Sequence, residues 1–266
     1  MKNTNEYLEI NKTAWNNKVP YHIASTFYDN EQFIKGKTSL KEAELCLLGP
    51  VEGLKIAHLQ CHFGQDSISL SRIGAIVTGV DFSNEAIEQA RILALKCGQS
   101  THFVEDDVYS FNKNGSQKYD LVFTSYGTIG WLPELNSWAK TISRSLRKGG
   151  RFVMVDFHPF VWTFDDEMRH IAYDYFNTQT IIETTNGTYA DRHAPLFDET
   201  HSWNHTISDI LQALIKNNLK ITNFLEYPYS SYDCFTNLKK VSEDKFVFNH
   251  IEAKIPMMYG IEAIAI

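Results

Sequence analysis

Five short apolar runs alternate with helical patterns between Leu54 and Phe157. The runs are LKIAHL, AIVTGVD, THFVEDDV, YDLVFTSY and GRFVMVDF, and in most of them successive residues are apolar. Runs of this kind are typical of strands that are covered on both faces. Because helical patterns separate the runs, we predict an α/β fold with a doubly wound, mostly parallel sheet.

The segments between the runs carry the signals of helix ends. SNEAIEQARILALKCG begins at Ser83, a favourable N-cap, and is predicted to end at Gly98. LPELNSWAKTISRSLRKGG is predicted to form a helix that starts after Pro133 and ends at the pair Gly149 and Gly150. QDSISLSRIG supplies another helix in this region.

The rest of the chain divides around this alternation. Residues 1–53 contain the helical patterns NEYLEINKTAWNNKV and TSLKEAELCLLG and are predicted to form an N-terminal helical cap. Residues 54–157 and 204–266 are predicted to form the core. The core is expected to end with a helix, TISDILQALIKNNL, and two strands, KITNFLEYPYS and MMYGIEAIAI.

Residues 158–203 break the alternation and are predicted to form an inserted cap. Within them, TIIETTNGTYAD predicts a β-hairpin whose two-residue turn is Asn186 and Gly187. The insertion follows the fifth run directly. We therefore expect it to lie over the carboxyl ends of the strands, where open α/β sheets bind their ligands.

Composition and charge narrow the partners. The 266 residues carry a formal charge of -7 and contain no block of Lys and Arg, which argues against a nucleic-acid partner. No run of 18 apolar residues and no signal-peptide core is found, so neither a membrane span nor secretion is expected. Four cysteines without CxxC spacing argue against a metal site or a disulfide framework and favour a cytoplasmic location.

Polar and aromatic residues follow the first three runs, whose ends should meet at one edge of the sheet. Asp81 ends the second run, and its carboxylate can accept both hydroxyls of a ribose. Phe82 can lie on a purine, and Asp107 with the Val108 amide can read the edge of an adenine. Gly64, after the first run, lets the backbone approach a ligand closely. Together these residues predict an adenosine site.

Each of these residues also has a structural explanation. Asp81 could cap the following helix, although Ser83 can already do so. Asp107 could belong to a solvated acidic turn with Glu105 and Asp106. A turn or a core role is the alternative for the others, which are Gly64 and Phe82.

The loop after the first run bears on the kind of cofactor. A dinucleotide needs the pattern GxGxxG, because its pyrophosphate must touch bare backbone. This chain has one glycine there and Cys-His-Phe where small residues would be needed. A methionine-linked adenosine has no phosphate, so the loop favours that cofactor over a dinucleotide.

The segments LQCHFGQD, VTGVDFSNEAIEQAR and YDLVFTSY to GRFVMVDFHPF resemble the motifs of class I S-adenosylmethionine-dependent methyltransferases. The terminal helix, strand and strand resemble the C-terminal hairpin of that family. The likeness covers about residues 40–157 and 205–266. It implies a seven-stranded Rossmann-like sheet with an antiparallel last strand. The implied cofactor is S-adenosyl-L-methionine, and its product is S-adenosyl-L-homocysteine.

The first motif departs from the usual family pattern. His58 stands at its acidic position, and Gln60 and His62 stand at the first two glycine positions. The resemblance still places Gln60, His62 and Gly64 in the cofactor loop, and the loop is similar to that of a subgroup with LQCHFGQD. In the family, backbone carbonyls at the end of the fourth strand hold the amino group of the methionine moiety. The resemblance thus implies this role for Ser125.

Further candidates concern the methyl acceptor. His158 follows the fifth run and could act as a general base, or it could be a structural histidine before Pro159. Tyr126 ends the fourth run and could face the acceptor, or it could serve packing. A group of aromatic residues could enclose the acceptor and keep water from the sulfonium, although packing also explains each one; they are Trp15, Tyr21, His22, Trp162, Trp203 and His205.

We therefore expect an S-adenosylmethionine-dependent methyltransferase that acts on an oxygen or nitrogen nucleophile of a small molecule, as a monomer or homodimer. One alternative is a nicotinamide- or flavin-dependent oxidoreductase, which predicts a glycine-rich phosphate loop. Another is an S-adenosylmethionine-binding protein without catalytic activity, which the unusual Gln60 and His62 would allow.

Overall fold

The computed structural model describes residues 6–251 and 254–266. The predicted first helix pattern begins at Asn5, which lies outside the described residues, as does the rest of 1–5. The α-helices are α1 (Glu6–Ala24), α2 (Asn30–Ile34), α3 (Glu42–Leu48), α4 (Gln65–Arg72), α5 (Asn84–Lys96), α6 (Leu135–Ser145) and α7 (Ile207–Lys216). The strands are β1 (Lys55–Leu59), β2 (Ile76–Asp81), β3 (His102–Glu105), β4 (Tyr119–Ser125), β5 (Leu146–Phe157), β6 (Ile181–Asn186), β7 (Phe197–Ser202), β8 (Leu219–Tyr227), β9 (Leu238–Ser242), β10 (Lys245–Phe248) and β11 (Met258–Ala265).

Within the described residues, seven strands form one sheet in the order β3-β2-β1-β4-β5-β11-β8. The pairs among β1 to β5 are parallel, whereas β11 runs antiparallel to both β5 and β8. The predicted doubly wound, mostly parallel Rossmann-like sheet with an antiparallel last strand is thereby confirmed. The carboxyl ends of β1, β2 and β3 lie side by side, which brings the predicted site loops together.

Apolar side chains cover both faces of the sheet. On one face, Trp138 of α6 is fully buried and its ring meets that of Phe152 edge to face at 5.6 Å. On the other face, Leu47 and Leu48 of α3 pack in a cluster with Val153 of β5. This two-sided burial explains why the strand runs are apolar throughout.

The helix signals were mostly right, with one correction. Ser83 caps α5 by accepting the amide of Ala86, and Gly98 follows the helix with a φ of +64°. The helix predicted to reach Gly149 and Gly150 ends at Ser145 instead. The chain leaves the helix at Leu146 because this residue is buried and pairs with Tyr119 at the start of β5.

The hairpin predicted in the insertion was only half right. Strand β6 forms as expected, but it pairs with β7 rather than with the residues directly after Gly187. The two strands are joined by residues 187–196, so the two-residue turn is wrong. The loop folds toward α1, where the Thr188 hydroxyl lies 3.0 Å from Nε2 of His22. Tertiary contacts, and not turn preference, therefore set the loop length.

Helix α1 joins this insertion to the core. The side chain of Asn11 donates to the carbonyl of His201 and accepts from the amide of the same residue, at 2.8 and 2.9 Å. Asn17 donates to Asp198 Oδ1, also on β7. We call α1 with β6, β7 and residues 187–196 the lid. Strands β9 and β10, which the sequence did not suggest, pair with each other within the described residues. None of the helices within residues 6–251 and 254–266 combines the length and the apolarity that a membrane span needs.

Candidate functional site

A cavity of about 40 Å³ lies at the carboxyl ends of β1, β2 and β3, beneath the first half of α1. Five of the residues predicted to bind the cofactor line it together, namely Gln60, Asp81, Phe82, Asp107 and Val108. Its other walls come from α1, from the ends of β1 and β2 and from the segments after β3 and β4, with Tyr7, Leu8, Asn11, Leu59, Val80, Asp106, Tyr109, Trp131 and Leu132. A space of this size holds a few water molecules.

Asp81 is buried at the end of β2 and already accepts two backbone amides. Its Oδ2 accepts from His62 at 2.8 Å, and its Oδ1 accepts from Ser83 at 2.9 Å. Each carboxylate oxygen can accept a further hydrogen bond, so both remain able to accept a ribose hydroxyl. Burial raises the pKa of Asp81 to about 6, although the backbone amides oppose this effect.

The loop after β3 has the polarity that an adenine edge requires. Asp107 accepts the amide of Tyr109 at 3.2 Å and lines the cavity, while Val108 is buried beside it. Burial raises the pKa of Asp107. Its neighbour Asp106 accepts the hydroxyl of Ser110. Phe82 is partly exposed at the cavity wall, where its ring face is available to a purine.

Gln60 enters the cavity from the loop after β1 in a left-handed conformation, with a φ of +55°. Its Nε2 donates to the carbonyl of Thr128 at 3.0 Å. Its Oε1 is buried and has no hydrogen-bond partner within the described part of the chain. A buried acceptor without a partner is costly, so this atom fits a hydrogen-bond donor of the cofactor.

Asp156 holds the loop that positions Gln60. Its carboxylate accepts the amides of Gly127, Thr128, Ile129 and Phe157. The Thr128 hydroxyl donates to it as well. The carbonyl of Thr128 in turn accepts a hydrogen bond from Gln60. The Asp156 carboxylate therefore holds the loop that positions Gln60 in the wall of the cavity.

The structure gives a packing reason for glycine at position 64. Gly64 stands at the N-cap of α4 with a φ of +81°, and an added Cβ would lie 2.5 Å from the ring of Phe103. The close approach at this position is therefore made by Phe103. Gly64 does not line the cavity, and contact between its backbone and the cofactor stays a prediction.

Ser125 and His58 belong to a buried hydrogen-bond network beside the cavity. Nδ1 of His58 lies 2.7 Å from the Ser67 hydroxyl, and Nε2 lies 3.3 Å from that of Ser125. Ser125 also donates to Asp66 Oδ2 at 2.8 Å. Burial lowers the pKa of His58 to about 4, so it is neutral at pH 7. His58 stands where the family motif has an acidic residue, and the carboxylate of this network comes from Asp66 instead.

Tyr126 lies at the end of β4 with its hydroxyl on a buried carboxylate. The hydroxyl donates to Glu44 Oε2 at 2.5 Å, and the ring packs edge to face against Tyr232 at 4.9 Å. Burial, followed by the charge of Asp66, raises the pKa of Glu44 to about 7. A carboxyl group with such a pKa can exchange a proton near neutral pH.

His158 does not reach this region. Its Nδ1 accepts the amide of Phe160 at 3.1 Å, which places the ring proton on Nε2. That nitrogen lies 3.2 Å from Glu226 of β8, and burial lowers the pKa of the ring. Both nitrogens are engaged on the far side of the sheet end, so the geometry fits the structural alternative and does not support a base.

The aromatic candidates separate into two groups. Trp15 and His22 of the lid contact His62 of the loop after β1, and Nδ1 of His22 lies 2.9 Å from Nε2 of His62. Trp203 and His205 hold the loop after β4 through the carbonyls of Gly130 and Leu132.

Trp162 lies elsewhere, half exposed against Phe157 and Phe235. Tyr21 is partly exposed on α1. Cys61 is buried, and burial raises the pKa of its thiol well above the usual value, as in an unreactive cysteine of the core.

Several of the residues described above had no sequence signal that singled them out. Tyr7 and Asn11 stand four residues apart on α1, but the pattern does not tell which face of the helix turns inward. Trp131 sits in an apolar stretch after β4 that reads equally as core. Glu44 lies in the capping box of α3, a position at which an exposed glutamate is usually expected.

Comparisons with known proteins agree with this geometry. Residues 56–150 match the family model described as a methyltransferase domain. An uncharacterized methyltransferase of Synechocystis sp. is 28% identical over 184 residues, which are 67% of this chain and 84% of that protein. A ubiquinone biosynthesis O-methyltransferase of Proteus mirabilis is 31% identical over 98 residues, which are 37% of this chain and 40% of that protein.

Among solved structures, an S-adenosylmethionine-dependent methyltransferase of Listeria monocytogenes superposes with a TM-score of 0.62 at 20% identity. The superposition covers 84% of this chain and 98% of that one. The sheet order and the antiparallel last strand are thus those of the fold shared with this S-adenosylmethionine-dependent methyltransferase. The family match and the curated relatives support an enzyme with a methyltransferase domain, for which S-adenosyl-L-methionine is the expected cofactor.

Proposed function

We propose that the enzyme transfers the methyl group to an oxygen or nitrogen nucleophile of a small molecule. The observation that carries this proposal is the lid. Helix α1 covers the cavity and is tied to β7 by paired hydrogen bonds between Asn11 and His201. An acceptor must fit beneath this cover, which a nucleic acid or a protein surface could not do. The formal charge of -7 gives a polyanion no attraction.

The residues that would hold the cofactor are those of the cavity. Asp81 would accept the ribose hydroxyls, Asp107 and Val108 would bind the adenine edge, and Phe82 would cover the purine. The orphan Oε1 of Gln60 fits a donor group of the methionine moiety. When bound, the cofactor supplies a methyl group on a sulfonium, which is a strong leaving group.

The chain's own contribution is then to position the acceptor and exclude water. Trp15, His22 and His62 close the space above the first loop. Burial lowers the pKa of His22 to about 2 and that of His62 to about 3, so both rings are neutral at pH 7. Because both rings are neutral, they do not repel the positive charge of the sulfonium. The other aromatic candidates, which are Trp162, Trp203, His205 and Tyr21, lie outside this group, and contact between them and the acceptor stays a prediction.

Proton removal is assigned to Glu44 acting with Tyr126. His158 has no free nitrogen for this task, as described above. The Glu44 carboxylate is buried and accepts a hydrogen bond from the hydroxyl of Tyr126, which follows Ser125 at the end of β4. An acceptor hydroxyl or ammonium group that reaches this pair could lose its proton to it.

A screen of metabolites with labelled S-adenosylmethionine tests the function. We expect label in a small molecule, and calorimetric titration should show binding of S-adenosylhomocysteine but not of NAD. Binding of NAD alone would favour the oxidoreductase. Binding of S-adenosylhomocysteine without transfer to any metabolite would favour the protein that binds but does not catalyse. The predicted cytoplasmic location, and the monomer or homodimer, belong to the same proposal.

The role of Glu44 predicts a defined pH profile. In the wild type we expect kcat to rise with pH through about 7, because the carboxylate form of Glu44 is the base. Glu44→Gln should lower kcat by about 100-fold and remove this rise. Tyr126→Phe removes a hydrogen bond that favours the ionised form, so it should move the rise to higher pH.

The matched control is Glu42→Gln, the same change on the exposed side of α3, where Glu42 pairs with Lys245. Its kcat and pH profile should equal those of the wild type. An unchanged profile in Glu44→Gln would exclude Glu44 as the base.

A further inference from the structure

Glu44 is a buried carboxylate for which the chain provides no cation. It is fully buried at the start of α3, and its two oxygens accept the Lys41 amide at 2.8 Å and the Tyr126 hydroxyl at 2.5 Å. Both donors are neutral. No lysine, arginine or histidine forms an ion pair with it in the part of the chain that the structure describes. A buried negative charge is normally paired with a positive one, so a cationic ligand would complete this arrangement.

Asp66 adds a second negative charge close to Glu44. After burial, the charge of Asp66 is the largest influence that raises the pKa of Glu44, which places the two carboxylates within electrostatic reach of each other. Asp66 accepts the hydroxyls of Ser39 at 2.6 Å and of Ser125 at 2.8 Å, and these donors are neutral as well. Ser125 is the residue predicted to bind the methionine moiety of the cofactor. The two carboxylates therefore lie beside the place where we expect the methyl group to be.

A continuous series of ring contacts connects this pair of carboxylates with the lid. Tyr126, which donates to Glu44, meets the ring of Tyr232 at 4.9 Å between ring centres. Phe27 stacks on Tyr232 at 5.7 Å and meets Tyr189 of the lid at 5.4 Å. We call these four rings the aromatic wall. The face of an aromatic ring attracts an ammonium group and offers no attraction to an anion.

One lysine of the chain already shows this attraction. Lys41 Nζ lies 5.3 Å from the ring centre of Tyr232 and pairs with Asp244 at 3.0 Å, so its charge is satisfied away from the two carboxylates. The buried Lys18 of the lid lies elsewhere, with its Nζ 5.6 Å from the ring centre of Trp131, which lines the cavity at the strand ends. Neither ammonium group pairs with the two carboxylates, which leaves their negative charge for a ligand.

The acidity of the acceptor distinguishes an amine from a hydroxyl compound at this site. Burial, followed by the charge of Asp66, raises the pKa of Glu44 to about 7. An alkylammonium group has a pKa of about 10.4, whereas an aliphatic hydroxyl is close to water at about 15.7, so the second proton is harder to remove by about five powers of ten. A phenol has a pKa of about 10, yet it becomes an anion beside the negative charge of Asp66. An ammonium ion is therefore the acceptor that fits both the base and the charge.

We propose that the methyl acceptor is an amine that binds as an ammonium ion, between the aromatic wall and the carboxylates of Glu44 and Asp66. This inference rests on the proposed function and names the acceptor that the same site takes. The ammonium ion gives one proton to the oxygen of Tyr126, whose own hydroxyl proton moves to Glu44. The freed lone pair on nitrogen forms the bond to the methyl carbon, and the electron pair of the broken carbon–sulfur bond stays on sulfur. The product is an N-methylammonium ion, and the proton on Glu44 returns to water.

Methyl transfer to matched pairs of compounds tests the proposal. Each amine of a metabolite library is assayed with labelled S-adenosylmethionine beside the alcohol of the same carbon skeleton, and mass spectrometry locates the added methyl group. We expect label on the nitrogen of an amine that is a cation at neutral pH, with kcat/KM at least about 100-fold above that of the paired alcohol. Label only on hydroxyl groups or on uncharged nitrogens would overturn the proposal and leave the methyltransferase intact. Absence of label from every compound would instead refute the proposed function, and the proposal with it.

Asp66→Asn tests the charge of the site. The variant removes one negative charge and keeps an oxygen that accepts a serine hydroxyl, and KM for the amine found in the screen should rise by about 10-fold. The rise of kcat with pH should also move to lower pH, because the charge of Asp66 contributes to the raised pKa of Glu44. A purely structural role of Asp66 would leave the midpoint of that rise in place. An unchanged KM together with an unchanged midpoint would contradict the binding of a cation here.

Tyr232→Leu tests the aromatic wall. Loss of the ring should raise KM for the amine by about 10-fold, whereas Tyr232→Phe keeps the ring and should stay close to the wild type. The matched control is Tyr229→Leu, which removes a ring that also contacts an ammonium group, that of Lys245 at 4.9 Å, but lies outside the aromatic wall. Its KM should equal that of the wild type. Equal KM values in Tyr232→Leu and the wild type would show that the aromatic wall does not bind the acceptor.

Discussion

Asp81→Asn is expected to weaken the binding of S-adenosylhomocysteine by about 100-fold, corresponding to about 3 kcal/mol. The carboxylate would give one charge-assisted hydrogen bond to each ribose hydroxyl. It also holds the first loop through the His62 amide at 2.8 Å and the following helix through the Ser83 amide at 2.9 Å. An asparagine turns its NH₂ group toward one of these amides, where two donors would face each other. Calorimetry with S-adenosylhomocysteine measures the change.

Asp120→Asn is the matched control for this variant. Asp120 also accepts a backbone amide, that of Lys55 at 2.7 Å, and lies at the opposite end of the sheet. The affinity of the Asp120→Asn variant for S-adenosylhomocysteine should equal that of the wild type. If Asp81→Asn also binds with wild-type affinity while it remains folded, Asp81 does not hold the ribose.

The same contact implies a pH dependence of binding. Burial raises the pKa of Asp81 to about 6 in the free enzyme, and donation by ribose hydroxyls would favour its ionised form. Affinity for S-adenosylhomocysteine should therefore be highest above pH 6 and fall as the pH drops through about 6, with release of a proton on binding near that pH. In Asp81→Asn this dependence should be absent.

Asp156→Ala is expected to lower the free energy of unfolding by about 4 kcal/mol. The carboxylate is buried and accepts four backbone amides and one hydroxyl, most of them from the loop after β4. An alanine leaves these donors without a partner away from water. Because the same loop carries the carbonyl that positions Gln60, binding of S-adenosylhomocysteine should weaken as well. Denaturant unfolding and calorimetry measure the two effects.

Asp165→Ala makes the same substitution at an exposed turn, where the carboxylate accepts the amides of Arg169 and His170. Water can replace those bonds, so its loss of stability should be much smaller. Equal losses in the two variants would show that the buried position of Asp156 does not matter. The isosteric Asp156→Asn should fall between Asp156→Ala and the wild type, because one oxygen can still accept.

The predictable part of the site is the part that strand order dictates. Asp81 and Asp107 follow neighbouring parallel strands, so they had to meet once the alternation of strands and helices was recognised. His158 also follows a strand, but its ring turns toward Glu226 on β8, which the sequence pattern could not indicate. Gly64 was identified correctly as a special backbone position, yet the atom that approaches it belongs to Phe103, 39 residues away.

The errors in the fold predicted from the sequence have the same origin. Asn186 and Gly187 form a dipeptide that favours a tight turn. The loop is longer because Thr188 and Tyr189 make hydrogen bonds to the N-terminal region, with His22 and Tyr28 as partners. The end of α6 was placed four residues too late because the burial of Leu146, set by its pairing with Tyr119, outweighs local helix preference. Each error concerns a contact between residues far apart in the chain.

The sequence alone predicted the parallel sheet, because periodicity is a local property, and the meeting of Asp81 and Asp107 at one edge, because strand ends converge by topology. The antiparallel last strand followed from the resemblance to a known family, and the adenosine site stays a prediction. Only the tertiary structure decided which face of α1 covers the cavity, where Lys18 places its charge, and that Tyr126 rests on Glu44. These features depend on side chains that lie tens of residues apart and meet only when helices pack onto the sheet. Local pattern carries no information about such meetings.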